Sequence, residues 1–228
     1  MADPEAGRLG AFRIRAVTFD AAGTLLAPHP SVGAVYAELA AAHGLERVAA
    51  DLDQAFGPAF SAVQAAWGVP YGADDEDARR FWIEVIRDTF GGPLSYELYM
   101  DLYDTFAEAR RWRVLPGARE ALAACARLGL PTAVVSNFDC RLEPLLAACD
   151  LRPTTVVPST AVGRAKPDPA PLLEACRRLG VTPDAVLHVG DSLREDGGMC
   201  AATGARFLHV THGIPLAVFA QQLAGTVS

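Results

Sequence analysis

The sequence predicts an α/β protein: a doubly wound parallel sheet with an inserted four-helix cap. Three observations carry that prediction. A short buried-strand pattern spans Ala16 to Phe19 and ends in Asp20; a long stretch follows in which apolar residues recur at the helical period; then strands alternate with helices for most of the remaining chain. With 228 residues, 51% hydrophobic and 21% charged, the chain is long enough for one sizeable core and an inserted module. A net charge of -7 argues against nucleic acid or an anionic membrane as partner.

The first strand, Ala16-Val17-Thr18-Phe19, is apolar with β-branched residues and reads as covered on both faces. Asp20 therefore stands at its carboxyl end, the edge where open α/β sheets bind ligands. Gly23 lets the chain turn, and Thr24 brings a hydroxyl beside the carboxylate. Pro28 and Pro30 mark a linker.

Four helices are expected next. Ser31 caps one that carries Val35, Leu39 and Ala42 on a face and stops at Gly44. A second places Leu52, Phe56, Phe60, Val63 and Trp67 at helical spacing, with a kink or break at Pro58. The acidic run 74–77 opens a third, which buries Phe81, Trp82, Val85 and Ile86. The fourth runs over 95–111 with Leu98, Tyr99, Leu102, Tyr103 and Phe106, and Arg110 and Arg111 at its negative end. These aromatic stripes read as core packing.

Residues 112–117, with Pro116 and Gly117, read as a second linker. Helices and strands then alternate, with strands at 132–135, 154–157, 185–189 and 207–210, which implies parallel pairing and right-handed crossovers. The expected division is 12–27 with 113–228 as the α/β core and 28–112 as the helical cap. The five cysteines show no CxxC pairing and sit mostly in helical patterns, so free thiols and a cytoplasmic, reducing setting are expected. No apolar run reaches the length of a membrane span. Asp3 and Glu5 argue against a secretory leader, while Arg8, Arg13 and Arg15 leave a mitochondrial presequence open.

Each later strand end delivers a polar residue to the edge that holds Asp20. The 132–135 strand leads into Ser136-Asn137; Lys166, the single lysine of the chain, lies between Ala165 and Pro167; and Gly190-Asp191 opens a loop that reaches Asp196. Asp20, Asp191 and Asp196 brought together would repel unless a cation sat among them, and oxygen ligands alone specify a hard ion such as Mg²⁺. With a lysine, a hydroxyl and amides around a carboxylate nucleophile, this set suits phosphoryl transfer, where positioning and charge neutralisation do most of the catalysis.

With these four motifs the chain resembles the haloacid dehalogenase superfamily, over about Arg15 to Gly213. Ser136-Asn137-Phe138-Asp139, the following Arg141-Leu142-Glu143 and Phe81-Trp82 are similar to the subgroup called haloacid dehalogenase-like hydrolase domain-containing protein three. The resemblance implies that Asp20 forms an aspartyl-phosphate with Lys166 beside it, and that Thr24, Ser136, Asn137 and Lys166 hold the transferred group. It also implies that Asp20, the carbonyl of Ala22 and Asp191 bind Mg²⁺ with Asp196 in support, and that the substrate is a small phosphorylated metabolite.

Phosphatases of the superfamily carry a second Asp two residues after the nucleophile, as acid and base; here it is Ala22, a loss worth about 10²- to 10⁴-fold in rate. Turnover of esters with good leaving groups, a non-catalytic phosphate-binding role and dehalogenation all remain open to such a chain. The retained Asp191 and Asp196 favour a metal and phosphate site over dehalogenation. Schiff-base chemistry through a cap lysine is excluded, since the cap has none. Asp139, Glu195 and His29 read as solvated loop or capping residues, and His188 and His209 as core residues with satisfied nitrogens.

Overall fold

A computed structural model describes residues 14–69 and 71–210 together with Leu216 and Phe219. Of the residues on which the leader readings rest, Asp3, Glu5, Arg8 and Arg13 lie outside the described residues.

The chain begins with β1 (Ala16–Phe19) and a short β2 (Leu26–Pro28). Four helices follow: α1 (Val32–Ala42), α2 (Ala49–Ala66), α3 (Asp75–Thr89) and α4 (Tyr96–Asp104). After β3 (Trp112–Val114), helices and strands alternate as α5 (Ala118–Arg127), β4 (Thr132–Ser136), α6 (Leu142–Ala148), β5 (Thr155–Pro158), α7 (Ala170–Leu179), β6 (Val186–Gly190), α8 (Asp196–Thr203) and β7 (Arg206–His209).

Five strands form one parallel sheet in the order β5-β4-β1-β6-β7, so β1 is central and the order reverses beside it. Alternation along the strands explains the two layers of helices. Val17, Phe19 and Val134 face a cluster with α5 and α6 residues such as Leu122 and Leu145; Ala16, Ala133 and Val135 face another with Leu172 of α7 and Met199 of α8. This is the expected doubly wound α/β architecture.

The 112–117 linker is partly strand. Leu26, Ala27 and Pro28 pair antiparallel with Val114, Arg113 and Trp112, so the two connections to the helical insert form a two-stranded ribbon. Three-residue strands, one ending in Pro28, carry too few residues to show a period of two. α2 is not broken at Pro58: one helix passes through it, with Leu52, Ala59 and Val63 buried on both sides of the proline. On α1 the buried face is Gly33, Val35, Tyr36 and Ala40, whereas Ala42 is exposed.

The fourth helix stops at Asp104 and two short 3₁₀ turns carry the chain over 105–107 and 109–111. Arg111 is therefore no exposed helix-terminal charge. It is 4% exposed, donates to Glu38 of α1 at 2.7 and 2.8 Å and to Thr105 at 3.0 Å, and locks the turns against α1. Among the described residues no helix is long and apolar enough to cross a membrane, and all five cysteines are free.

Candidate active site

Asp20 leaves β1 with its N–H bonded to the Val189 carbonyl of β6 at 2.9 Å, and the chain then folds back as Leu25 and Leu26 donate to the Ala21 carbonyl. Gly23 holds φ +92, and a Cβ there would lie 2.3 Å from an Asp191 oxygen, so only glycine admits the neighbouring loop. At Gly190 a Cβ would lie 2.2 Å from Asp196, and β6 must end in glycine for the same steric reason.

The expected carboxylates do converge. Asp20, Asp191 and Asp196 each offer an oxygen such that all lie within 4.8 Å of one another. Lys166 Nζ stands 2.6 Å from Asp20 Oδ1, 2.6 Å from Asp196 Oδ1 and 3.1 Å from the Val135 carbonyl, with the side chain almost fully buried. Burial alone would lower the lysine, but the two carboxylates override it and hold it above its ordinary value. Burial likewise opposes ionisation of Asp196, yet Lys166 and a bond from His188 keep its carboxyl below the usual range. Asp191 stands outside these ion pairs and accepts the Thr24 hydroxyl at 3.3 Å. Partial desolvation first, and then the charges of Asp20 and Asp196, push it up to about 6, although the residue lies at the exposed rim.

The remaining expected residues divide. Ser136 is buried at the end of β4 and lines a cavity that opens onto Asp20. Asn137 lines it too, but its amide is committed: Oδ1 accepts from Lys166 N at 2.7 Å, and Nδ2 donates to the Lys166 carbonyl and to Glu195. Its role is to clamp the lysine backbone. Thr24 does not reach the cavity and gives its hydroxyl to Asp191 at 3.3 Å. Ala22 sits exposed at the cavity mouth.

His188 is fully buried and satisfied, as expected. Its Nδ1 is 2.8 Å from Thr18 Oγ1 and its Nε2 3.0 Å from Asp196 Oδ1, and Asp196 Oδ2 accepts from Ser192 N. His209 is only half-buried, with its ring nitrogen 2.9 Å from the Asp191 carbonyl. Two loop readings are corrected. Glu195 projects into the cavity and accepts from Gln64, Tyr71 and Asn137; burial raises its carboxyl. Asp139 is completely buried, paired with Arg141 and bonded by the Tyr103 hydroxyl. His29 is exposed.

The aromatic stripes pack into apolar clusters as expected, and they also line a cavity. The cavity holds about 240 Å³, and its upper wall is built by Tyr36, Phe56, Phe60, Trp82, Tyr103 and Phe106 of the helical insert. Periodicity shows that a face is apolar and not whether it meets another side chain or an empty space, so these positions were legible only as buried.

The profile of the haloacid dehalogenase-like hydrolases matches residues 14–204. The chain belongs to that family. It is 35% identical over 219 residues to the haloacid dehalogenase-like hydrolase domain-containing protein 3 of Bos taurus, covering 90% of this chain and 84% of that one. It is also similar, at 34% identity over 197 residues, to an N-acetylmuramic acid 6-phosphate phosphatase of Pseudomonas aeruginosa, covering 84% of this chain and 81% of the other. In fold it matches an L-2-haloacid dehalogenase of Xanthobacter autotrophicus with a TM-score of 0.69 at 24% identity, over 94% of this chain and 84% of that one.

Proposed function

We propose that this hydrolase is a Mg²⁺-dependent phosphomonoesterase acting through an aspartyl-phosphate on Asp20. Its substrate is a small phosphorylated metabolite in the cytoplasm, with neither nucleic acid nor membrane as partner. The observation that carries the reading is the Lys166 ammonium, buried 2.6 Å from Asp196 and from Asp20, which lines the cavity, with Asp191 completing a set of three carboxylates. The phosphatase named among the relatives supports it.

The donor set suits a hard divalent ion, because it is oxygen alone and because a cation there would offset the desolvation, and after it the Asp20 and Asp196 charges, that raise Asp191. Asp20, the Ala22 carbonyl and Asp191 would hold the ion, with Asp196 in support through Lys166. When bound, Mg²⁺ neutralises charge on the phosphoryl oxygens. Asp20 forms the bond to phosphorus while the ester P–O bond breaks and its electron pair leaves on the ester oxygen. Lys166 and the Ser136 hydroxyl hold the transferred group, and water then releases inorganic phosphate and restores Asp20. With Ala22 in place, no carboxyl at that position gives the leaving oxygen a proton. The insert, residues 28–112, serves as a cap that closes on the 12–27 and 113–228 core about the β2–β3 ribbon and excludes water.

The test is hydrolysis of 4-nitrophenyl phosphate with Mg²⁺ and with EDTA. We expect metal-dependent release of phosphate and a loss of about 10⁴-fold or more in Asp20→Asn. Equal rates in EDTA, or an active Asp20→Asn, reject the reading; halide released from 2-chloropropionate in EDTA would replace it with dehalogenation.

A further inference from the structure

Resting on the phosphomonoesterase reading, we propose that the group esterified to the phosphate is an aromatic ring, so that the natural substrate class is an aryl phosphate. Two independent observations converge on it. The first is the wall facing Asp20. Phe60 and Trp82 lie with ring centroids 5.8 Å apart in a stacked arrangement, and Phe106, Trp112 and Phe138 continue the lining. The cavity of about 240 Å³ suits one ring with its phosphoryl group, since a cavity of roughly 150 Å³ already holds benzene.

Most of the polar groups on that wall are already spent on one another; the Tyr36 and Ser136 hydroxyls also line it. The Tyr103 hydroxyl donates to Asp139, the Tyr71 hydroxyl to Glu195, and the three Arg141 nitrogens to Asp139 and the Tyr103 carbonyl. The Arg141 guanidinium also lies flat on Tyr103, 3.7 Å from the ring centre. A sugar phosphate placed there would strand most of its hydroxyls, each at a cost of roughly 5- to 150-fold in affinity. A second carboxylate on the substrate would meet a guanidinium already neutralised by buried Asp139.

The second observation is Ala22. Asp20 bonds to phosphorus as the P–O bond to the ring breaks, and the electron pair leaves as a phenolate. A phenol has a pKa of about 10, against about 16 for water and simple alcohols, so the phenolate departs without a proton donor where an alkoxide would stall. The missing acid and the aromatic wall thus select the same leaving group.

The experiment compares kcat/KM, with Mg²⁺, for phenyl phosphate, glycerol 2-phosphate, glucose 6-phosphate and phosphoglycolate on wild type, Asp20→Asn, Ala22→Asp and Trp82→Leu. Phenyl phosphate is expected to lead the other three by on the order of 10²-fold or more. Ala22→Asp should narrow that lead by raising the alkyl esters, and Trp82→Leu should narrow it about tenfold by weakening the ring, a ratio independent of how much protein folds. In parallel, calorimetry should find phenylphosphonate on the order of 10²-fold tighter than methylphosphonate. Hydrolysis that depends on Asp20 but favours a sugar phosphate or phosphoglycolate, or equal phosphonate affinities, overturns the aryl assignment and leaves the phosphomonoesterase standing. No hydrolysis of any ester, with Asp20→Asn indistinguishable from wild type, removes both.

Discussion

At the scale of single residues, the site depends on a buried relay that starts away from the cavity. Thr18 meets His188, His188 meets Asp196, Asp196 meets Lys166, and Lys166 meets Asp20, each at 3.0 Å or less. With Asp196 ionised, His188 donates through Nε2 and accepts the Thr18 hydroxyl at Nδ1. His188→Phe leaves two buried partners short of a bond, and we expect a loss of about 2 kcal/mol in urea unfolding. An unchanged midpoint would show that the ring only fills space. Cysteine chemistry follows from burial. Cys140 is the exposed thiol, yet burial of its sulfur and a bond with Asp75 push it up to about 11, and Cys125 and Cys176 are raised as far by burial. Because the thiolate reacts, only about one Cys140 in 10³ is reactive at pH 8. A thiol reagent should modify Cys140 alone under native conditions, with a rate rising about tenfold per pH unit toward 11. Fast labelling of several thiols would contradict this.

At the scale of elements, the insert is held by one unusually close approach. A Cβ on Gly33 of α1 would lie 2.2 Å from the Ala49 carbonyl and 2.5 Å from Asp53 N of α2, and the Gly33 N–H donates to Asp53 at 2.6 Å. Gly33→Ala forces the helices apart and is expected to cost about 1–3 kcal/mol, read by urea unfolding. Gly44→Ala is the control, since a Cβ there meets nothing within 4 Å and only the strain of φ +73 is tested. The elements themselves were readable wherever local chemistry decides them. Ser31, Asp74 and Ser95 each accept an N–H three residues on, and begin helices where capping predicts. The end of α4 was not readable, because the turns that follow it are tied through Arg111 to Glu38, a residue 73 positions away.

At the scale of the whole molecule, the sheet gathers three carboxylates around one lysine. Asp191, drawn up to about 6 from an ordinary 3.8, favours the folded state at low pH and withdraws that contribution as pH rises through this range. A divalent ion that binds only the ionised carboxyl reverses the penalty above pH 6. Adding Mg²⁺ at about 100 times its dissociation constant should then raise Tm by roughly 5–10 °C at pH 8 and by much less at pH 5. An equal shift at both pH values, or none, would argue against these carboxylates as the ion's ligands. Contacts across the cavity mouth, Gln64 and Tyr71 on Glu195 and Asp75 on Cys140 and Thr160, join the insert to the sheet's loops.

The sequence alone determined the sheet, the insert and the rim of acidic residues around one lysine, because strand patterns, caps and strand-end positions are set by residues adjacent in the chain. It did not reveal that Glu195 and Arg141 face a cavity, that two linkers pair as a ribbon, or that aromatic stripes line space as well as fill it. Those outcomes were decided by tertiary structure, because each depends on which distant surface arrives opposite, and a local period carries no information about the partner.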